Sequence, residues 1–252
     1  MESRRFISGD VEIAFVDEGG GEPILLIHGF ASNLRVNWAS TGWIDTLTDA
    51  GRRVIAMDVR GHGESEKLYD PELYRVEAMA RDAANLIDHL GLGRADVMGY
   101  SMGARITAFL AVRDPAKVRS AILGGLGMAL VEGMAGGDAI VAALEAPSLD
   151  VVVGEPGRAY RKFAEQTRAD LRALAACMTV ARETMPAATL ATIRVPVLVA
   201  VGEKDAVAGS GEALARLIPG AEAFTIPNRD HMLATGAAPF KKRALEFLEQ
   251  RP

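Results

Sequence analysis

The feature that most constrains this fold is a series of short apolar runs separated by segments with helical spacing. The apolar runs lie at residues 23–27, 53–58, 97–98, 118–123 and 195–201. Runs of this kind, without polar alternation, are typical of strands buried on both faces of a parallel sheet. Between them, residues 75–90 and 102–113 carry apolar side chains at helical spacing. The alternation predicts an α/β fold with a doubly wound, mostly parallel sheet of about eight strands and helices on both faces.

Further strands and helices are predicted towards the two ends of the chain. Residues 5–8 and 11–17 indicate a hairpin around a Gly-Asp turn, and residues 223–226 indicate the last strand. The remaining helices of this plan are predicted over residues 38–50, 210–217 and 237–249.

A helical insertion interrupts the alternation. Its predicted helices cover residues 138–145, 157–166 and 168–183. No apolar run of comparable strength occurs among them. We therefore predict a core formed by residues 1–125 and 193–252, with a helical cap formed by residues 126–192.

The pattern Gly-x-Ser-x-Gly, from Gly99 to Gly103 with Ser101 at its centre, joins a predicted strand to a predicted helix. The pattern alone is weak evidence, and its weight comes from these two neighbours. In this context it is typical of a nucleophile elbow, a turn so sharp that the central side chain is exposed at the carboxyl edge of the sheet. Glycines are expected on both sides because a larger side chain would collide with the neighbouring strand or helix.

A serine nucleophile needs a base within hydrogen-bond reach and an acid that orients this base. Asp205 follows the predicted strand at 195–201, and His231 follows the predicted strand at 223–226. Sites in open α/β sheets lie beyond the carboxyl ends of the strands. We therefore predict that Ser101, Asp205 and His231 come together as the catalytic residues. The order serine, acid, histidine along the chain is one that such triads use.

Each of these assignments has a structural alternative. His231 could be an ordinary loop histidine, although the other three histidines lie in glycine-flanked loops or in a predicted helix. Asp205 could merely cap a turn, and Glu203 and Asp230 are competing acids. Asp230 is adjacent to the histidine in sequence, which makes it awkward for it to orient the imidazole from behind. Asp205 is therefore the preferred acid.

Acyl transfer also needs two hydrogen-bond donors for the oxyanion. The backbone N–H groups of Met102, directly after the nucleophile, and of Phe30, in the loop after the strand at 23–27, are the candidates. His28, in the same loop, is expected to border the substrate. Met128 and Phe163 are expected to contact the substrate from the cap, which favours a largely apolar acyl part.

Composition excludes several classes of function. The formal net charge is -5 and no long run has one sign, so nucleic acid is not an expected partner. Cys177 is the only cysteine, so an internal disulfide is excluded and a reducing, cytoplasmic location is expected. We find no secretory signal and no apolar run long enough to span a bilayer, so no membrane association is expected. The scattered histidines predict no metal site, and Gly91-Leu92-Gly93 precedes a strand rather than a helix, so no cofactor is expected.

Taken together, the motifs resemble those of the α/β-hydrolase superfamily over nearly the whole chain. They are His28-Gly29-Phe30, Asp58-Val59-Arg60-Gly61-His62-Gly63-Glu64-Ser65, Gly99-Tyr100-Ser101-Met102-Gly103, Gly202-Glu203-Lys204-Asp205 and Asp230-His231. The resemblance implies a serine hydrolase that cleaves small-molecule carboxylic esters through an acyl-enzyme. Epoxide hydrolases and haloalkane dehalogenases of this fold carry an aspartate at the elbow centre, so Ser101 disfavours both. Carbon–carbon bond hydrolases, lactonases and perhydrolases share the triad and stay open, as do a slow-turnover ligand receptor and a homo-oligomeric state.

Overall fold

The structure is a computed structural model and describes residues 1–251. Its eight strands are β1 Arg4–Ser8, β2 Val11–Gly19, β3 Glu22–Ile27, β4 Arg52–Met57, β5 Ala95–Tyr100, β6 Val118–Gly124, β7 Val197–Gly202 and β8 Glu222–Ile226. They form one sheet in the order β1-β2-β4-β3-β5-β6-β7-β8. The β1–β2 and β2–β4 pairs are antiparallel and every later pair is parallel. The predicted fold class is confirmed, including the number of strands.

Ten α-helices accompany the sheet within the described residues. They are α1 Trp43–Asp49, α2 Val76–His89, α3 Met102–Arg113, α4 Ala129–Glu132, α5 Gly137–Glu145, α6 Gly157–Gln166, α7 Leu171–Val180, α8 Ala187–Leu190, α9 Gly211–Arg216 and α10 Ala238–Gln250. Helices α2, α3 and α9 pack on one face of the sheet, and α1 and α10 pack on the other. Alternate residues of β3 feed the two layers: Leu25 and Ile27 enter the first, and Ile24 and Leu26 enter the second.

The helix predicted over residues 38–50 is divided into two pieces. A single wide turn covers Arg35–Ala39, and α1 starts only at Trp43. The break lies at Gly42, whose φ of 72° is in the left-handed region that ends regular helices. The break lets the rings of Trp38 and Trp43, both fully buried, meet edge to face at 6.2 Å.

The segment between β6 and β7 holds α4 to α8 and no strand. Helices α5 and α6 match the predicted positions, whereas α7 is shorter than the predicted helix at 168–183. Asp170 explains its late start, because this carboxylate caps α7 by accepting hydrogen bonds from the N–H groups of Arg172 and Ala173. None of the helices within residues 1–251 has the length and apolar character needed to cross a membrane.

Candidate active site

The turn between β5 and α3 holds Ser101 in a strained conformation. Its φ and ψ are 55° and -112°, values that a residue with a side chain rarely adopts. A Cβ added at Gly99 would lie 2.0 Å from the carbonyl oxygen of Gly103. A Cβ at Gly103 would lie 2.0 Å from the carbonyl oxygen of Ile27. Both glycines are therefore required by the close approach of strand and helix, as the sequence pattern predicts.

The structure brings Ser101, His231 and Asp205 together in one hydrogen-bonded chain. The Nε2 atom of His231 lies 3.0 Å from the Ser101 hydroxyl, and its Nδ1 atom lies 2.7 Å from Oδ2 of Asp205. A carboxylate accepts but does not donate, so Nδ1 carries the proton and Nε2 offers its lone pair to the hydroxyl. This is the geometry that a general base needs in order to take a proton from serine.

The Asp205 side chain is fully buried and uses its two oxygens for different tasks. Oδ1 accepts hydrogen bonds of 2.9 Å from the N–H groups of Val207 and Ala208, while Oδ2 accepts from His231. Capping a turn and orienting the imidazole are therefore compatible here. The turn fixes the carboxylate, and the fixed carboxylate fixes the ring.

The two competing acids are engaged elsewhere. Oε2 of Glu203 accepts a hydrogen bond from the N–H of Asn228 at 2.7 Å. Oδ1 of Asp230 accepts from the N–H groups of Met232 and Leu233, which closes the turn after the last strand. Both carboxylates thus shape the loop that carries His231 without orienting its ring.

Two cavities share a wall at Ser101. The larger cavity has a volume of about 380 Å³ and is lined by His231, Tyr160 and Phe163, among others. The smaller cavity has a volume of about 40 Å³ and is lined by Met102 and Arg105, among others. Phe163 therefore lies on the wall of a cavity next to the serine, and its contact with substrate stays a prediction.

The oxyanion donors proposed from the sequence lie beside the serine. Phe30 lines both cavities and Met102 lines the smaller one. Met102 opens α3, where backbone N–H groups have no partner within the helix. The loop before Phe30 is held by the side chain of Asn37, whose Oδ1 accepts a hydrogen bond of 3.0 Å from the N–H of Gly29. The oxyanion role of the two N–H groups stays a prediction.

His28 lines neither cavity within the described residues, so its expected contact with substrate is wrong. Its ring is fully buried, its Nε2 accepts a hydrogen bond of 3.0 Å from the N–H of Val59, and its Nδ1 donates to the Gly29 carbonyl. Protonation of Nε2 would break the first of these bonds. Burial accordingly lowers the pKa of His28 to about 4. The neutral His28 ring therefore stabilises the loop that carries Phe30 through these two hydrogen bonds.

Met128 also lines neither cavity within residues 1–251, and its contact with substrate stays a prediction. Its backbone N–H donates to the carbonyl of Ser210 at 3.2 Å, and its side chain packs against the apolar core. Met134 and Met178 from the same insertion line the smaller cavity instead. The hydrogen bond from Met128 to Ser210 ties the loop after β6 to the residue before α9.

Three residues of the site escape the sequence analysis. The Tyr100 hydroxyl donates a 2.5 Å hydrogen bond to the carbonyl of His231 and so fixes the loop of the base. Tyr160 lines both cavities, and its ring lies 5.9 Å from that of Phe30. Arg105 lines the smaller cavity although it belongs to a helix with a strongly apolar face. The sequence signal that could have identified Tyr160 is an aromatic side chain in the predicted cap helix at 157–166, three residues before Phe163.

Comparisons with known proteins agree with the geometry. A sequence profile described as alpha/beta hydrolase fold matches residues 22–190. A dihydrolipoyllysine-residue acetyltransferase component of the acetoin cleaving system from Pseudomonas putida is 31% identical over 248 residues, which cover 92% of this chain and 64% of that protein. A 2-hydroxymuconate semialdehyde hydrolase from a Pseudomonas species is 31% identical over 134 residues, 52% of this chain and 47% of that enzyme. The chain thus matches between about half and 64% of the length of these relatives.

Similarity to solved structures extends over the full length. A thermophilic esterase from Thermogutta terrifontis, solved with malate bound, has a TM-score of 0.78 and 26% identity, and the match covers 99% of both chains. The sequence profile covers more than half of this chain. The architecture of the sheet agrees with both comparisons. This chain belongs to the α/β hydrolase fold family.

Proposed function

We propose that this protein is a serine hydrolase that cleaves small-molecule carboxylic esters. The observation that carries the proposal is the chain of short contacts from Ser101 through His231 to the buried carboxylate of Asp205, at the wall of a cavity of about 380 Å³. A serine hydroxyl within reach of an imidazole, and a fixed acid that orients this imidazole, are the parts that a serine nucleophile requires.

The reaction starts with attack of the Ser101 hydroxyl oxygen on the acyl carbon. Nε2 of His231 takes the hydroxyl proton in this step, and Asp205 stabilises the resulting imidazolium through Nδ1–H. The N–H groups of Phe30 and Met102 are proposed to bind the oxyanion that forms on the substrate carbonyl.

Collapse of this intermediate expels the alcohol, which takes its proton from Nε2 of His231. His231 lines the larger cavity, so the leaving alcohol is proposed to occupy that side. A water molecule, deprotonated by the same nitrogen, then attacks the acyl-enzyme and releases the acid. Protons and bonds balance over the two half-reactions without a metal or an organic cofactor.

The segment between β6 and β7 is proposed to act as a cap over the serine. Its helix α6 contributes Tyr160 and Phe163 to the larger cavity, and α7 contributes Met178 to the smaller one. These side chains are proposed to exclude water once substrate is bound, which would strengthen the electrostatic interactions that stabilise the transition state. The Tyr160 ring lies 5.9 Å from that of Phe30, so the cap contacts the loop proposed to hold the oxyanion.

Carbon–carbon bond hydrolysis is the second candidate. It is favoured by the partial similarity to the 2-hydroxymuconate semialdehyde hydrolase and to a 2-hydroxy-6-oxo-2,4-heptadienoate hydrolase from Pseudomonas putida, 32% identical over 122 residues. In this reaction His231 would protonate a carbon rather than an alcohol oxygen. The triad serves both reactions, so substrate profiles decide between them.

Initial rates with p-nitrophenyl esters of increasing acyl length test the proposal. We expect steady turnover by the wild type and a fall of roughly 10⁴- to 10⁶-fold in kcat for Ser101→Ala. Ser120→Ala is the matched control, because Ser120 is a fully buried serine at the opposite edge of the sheet. Equal activity of wild type and Ser101→Ala would refute the proposal. One covalent turnover followed by a persistent adduct would identify a receptor instead.

A further inference from the structure

Arg105 is a buried cation in the first turn of the helix that follows the nucleophile. It belongs to α3, which starts directly after Ser101. Only 4% of the residue is exposed, and it lines the smaller cavity together with Ser101 and Met102. Arg105 and the proposed nucleophile therefore lie on the wall of the same small cavity.

The hydrogen-bond partners of Arg105 are neutral. One Nη atom donates to the backbone carbonyl of Glu183, and the other donates to the carbonyl of Ala129 at 3.0 Å. The carboxylate of Glu183 is engaged by Arg75 and by the N–H of Val76. Burial lowers the pKa of Arg105 to about 10, with Glu183 acting in the opposite direction. The side chain thus stays charged at neutral pH.

Other buried arginines of the described chain have carboxylate partners. Arg60 meets Asp82 at 2.7 Å, and Arg161 meets Glu165 at 2.7 Å. Arg105 differs, because no carboxylate oxygen within residues 1–251 lies within ion-pair distance of it. A buried charge without a counter-charge is costly, so its presence next to a cavity points to a counter-charge supplied from outside.

The lining of the smaller cavity agrees with this view. Arg182 is the second cation on its wall, and the partner of Arg182 is the highly exposed carboxylate of Asp138. The other lining residues are apolar or small, apart from Ser101 and Tyr160, and none of them is acidic. A volume of about 40 Å³ suits a group of a few atoms such as a carboxylate.

We propose that the smaller cavity binds a carboxylate on the acyl part of the substrate, so that the preferred substrates are half-esters of short dicarboxylic acids. The carboxylate contacts Arg105, with Arg182 as a second and more solvated cation. The acyl carbonyl then lies at Ser101, and the alcohol extends into the larger cavity beside His231. This inference rests on the proposed esterase function and replaces the largely apolar acyl part expected from the sequence by a charged one.

The test compares methyl hydrogen succinate with its neutral isostere methyl succinamate, by product analysis at pH 7.5. We expect the wild type to favour the charged ester by about 100-fold in kcat/KM. In Arg105→Met this ratio is expected to fall by roughly 100-fold, because one partner of a buried charge pair is lost. Arg105→Lys keeps the charge and loses the planar fork, so a fall of about tenfold is expected. Arg182→Gln should lower the ratio only about threefold, since its guanidinium is partly solvated.

Arg161→Met is the matched control. Arg161 is equally buried and also binds backbone carbonyls of the insertion, but it lines neither cavity. It should lose stability and keep the wild-type ratio. A wild-type ratio near one, or an equal fall of the ratio in Arg161→Met, would overturn the inference while the esterase proposal stands. Absence of turnover with every ester, neutral ones included, would overturn the esterase proposal itself.

A measurement on the wild type covers the case in which Arg105→Met does not fold. Succinate should inhibit hydrolysis of a neutral p-nitrophenyl ester competitively, at a concentration at least tenfold below that of succinamide. Equal inhibition by the two compounds would contradict a carboxylate subsite.

Discussion

The polar side chains at the two ends of β5 differ in how many hydrogen-bond partners they have. Near its start, Asp96 is fully buried and accepts two hydrogen bonds of 2.6 Å from Arg251, one of 2.7 Å from Ser120 and one of 3.3 Å from Arg52. Beyond its end, the Ser101 side chain has a single hydrogen bond within residues 1–251, to His231. Only four residues of chain lie between a saturated carboxylate and a hydroxyl with one partner.

The difference shows what each edge of the sheet is suited to do. At the amino edge every lone pair of the carboxylate is used, so the group stabilises the fold by tying the C-terminal Arg251 to the central strand. At the carboxyl edge the Ser101 hydroxyl keeps spare hydrogen-bonding capacity, which a substrate can use. Substitution of Asp96 should therefore mainly change stability, and substitution within the triad should mainly change turnover.

The largest expected effect follows from the same substitution at two buried aspartates. Asp205→Asn should lower kcat for ester hydrolysis by about 10⁴-fold, because an amide no longer selects the tautomer with its proton on Nδ1. The free energy of unfolding should change little, since the amide oxygen can keep the Oδ1 contacts that close the turn. Steady-state kinetics and urea denaturation of the purified variant measure the two quantities.

Asp96→Asn supplies the opposite half of this comparison. It leaves the guanidinium of Arg251 and its neighbours without their shared counter-charge, so the protein should lose about 3 kcal/mol of stability. The kcat of the folded fraction should stay at the wild-type value. If Asp96→Asn lowered kcat as strongly as Asp205→Asn does, the two edges would not be functionally separate.

Most of this contrast is accessible from the sequence. Apolar runs locate the strand ends, and the strand ends locate Ser101, Asp205 and His231, because parallel strands present their carboxyl ends at one edge. The roles of His28 and Met128 are not accessible in this way. Each is decided by one backbone contact with a distant loop, at Val59 and at Ser210.

Arg105 escapes the sequence analysis for a different reason. A charged residue in a helical pattern is assigned to the solvent face, and only the packing of the insertion on α3 turns this position inwards. The break at Gly42 is missed because residues 38–50 suit a helix locally, whereas the packing of two tryptophans favours two pieces. In each case tertiary contacts override a local preference.

An intermediate effect is expected from pH, and it belongs to the carboxyl edge. Burial lowers the pKa of His28 to about 4, and burial together with His28 lowers that of His62 to about 3, from an ordinary value of 6.5. At pH values between these lowered pKa values and 6.5, the unfolded chain binds more protons than the folded one. Stability is therefore complete above about pH 6.5 and is lost as the pH falls, by up to about 1.4 kcal/mol per pH unit for each histidine.

Urea denaturation at pH 7, 6 and 5 checks this dependence in the wild type and in His62→Phe. The phenylalanine cannot be protonated, so the loss of stability on acidification should be about half as steep. The substitution also removes the hydrogen bond from His62 to the Arg60 carbonyl. This loss lowers the free energy of unfolding by the same amount at every pH and leaves the slope unchanged. An unchanged slope would show that His62 is not buried in its neutral form.

The smallest expected effect is the stability difference between alanine and glycine variants, which reports backbone strain at each edge of the sheet. Ser101→Ala and Ser101→Gly both remove the hydroxyl and its hydrogen bond to His231, so their difference in stability isolates the backbone conformation. A residue with a Cβ at φ 55° and ψ -112° is strained by roughly 1–3 kcal/mol, and glycine is not. After the entropic cost of glycine, the Gly variant should be more stable than the Ala variant by about 1 kcal/mol.

Ser120 gives the comparison with the opposite sign. It is a buried serine within β6 and is not among the residues with positive φ, so glycine gains nothing there from conformational freedom. Ser120→Gly should therefore be less stable than Ser120→Ala by about 0.5–1 kcal/mol, measured by the same denaturation experiment. Opposite signs at the two serines would mean that the strain is confined to the edge that carries the nucleophile. The same sign at both would mean that the fold holds Ser101 without strain, and that its exposure beside His231 has no cost in stability.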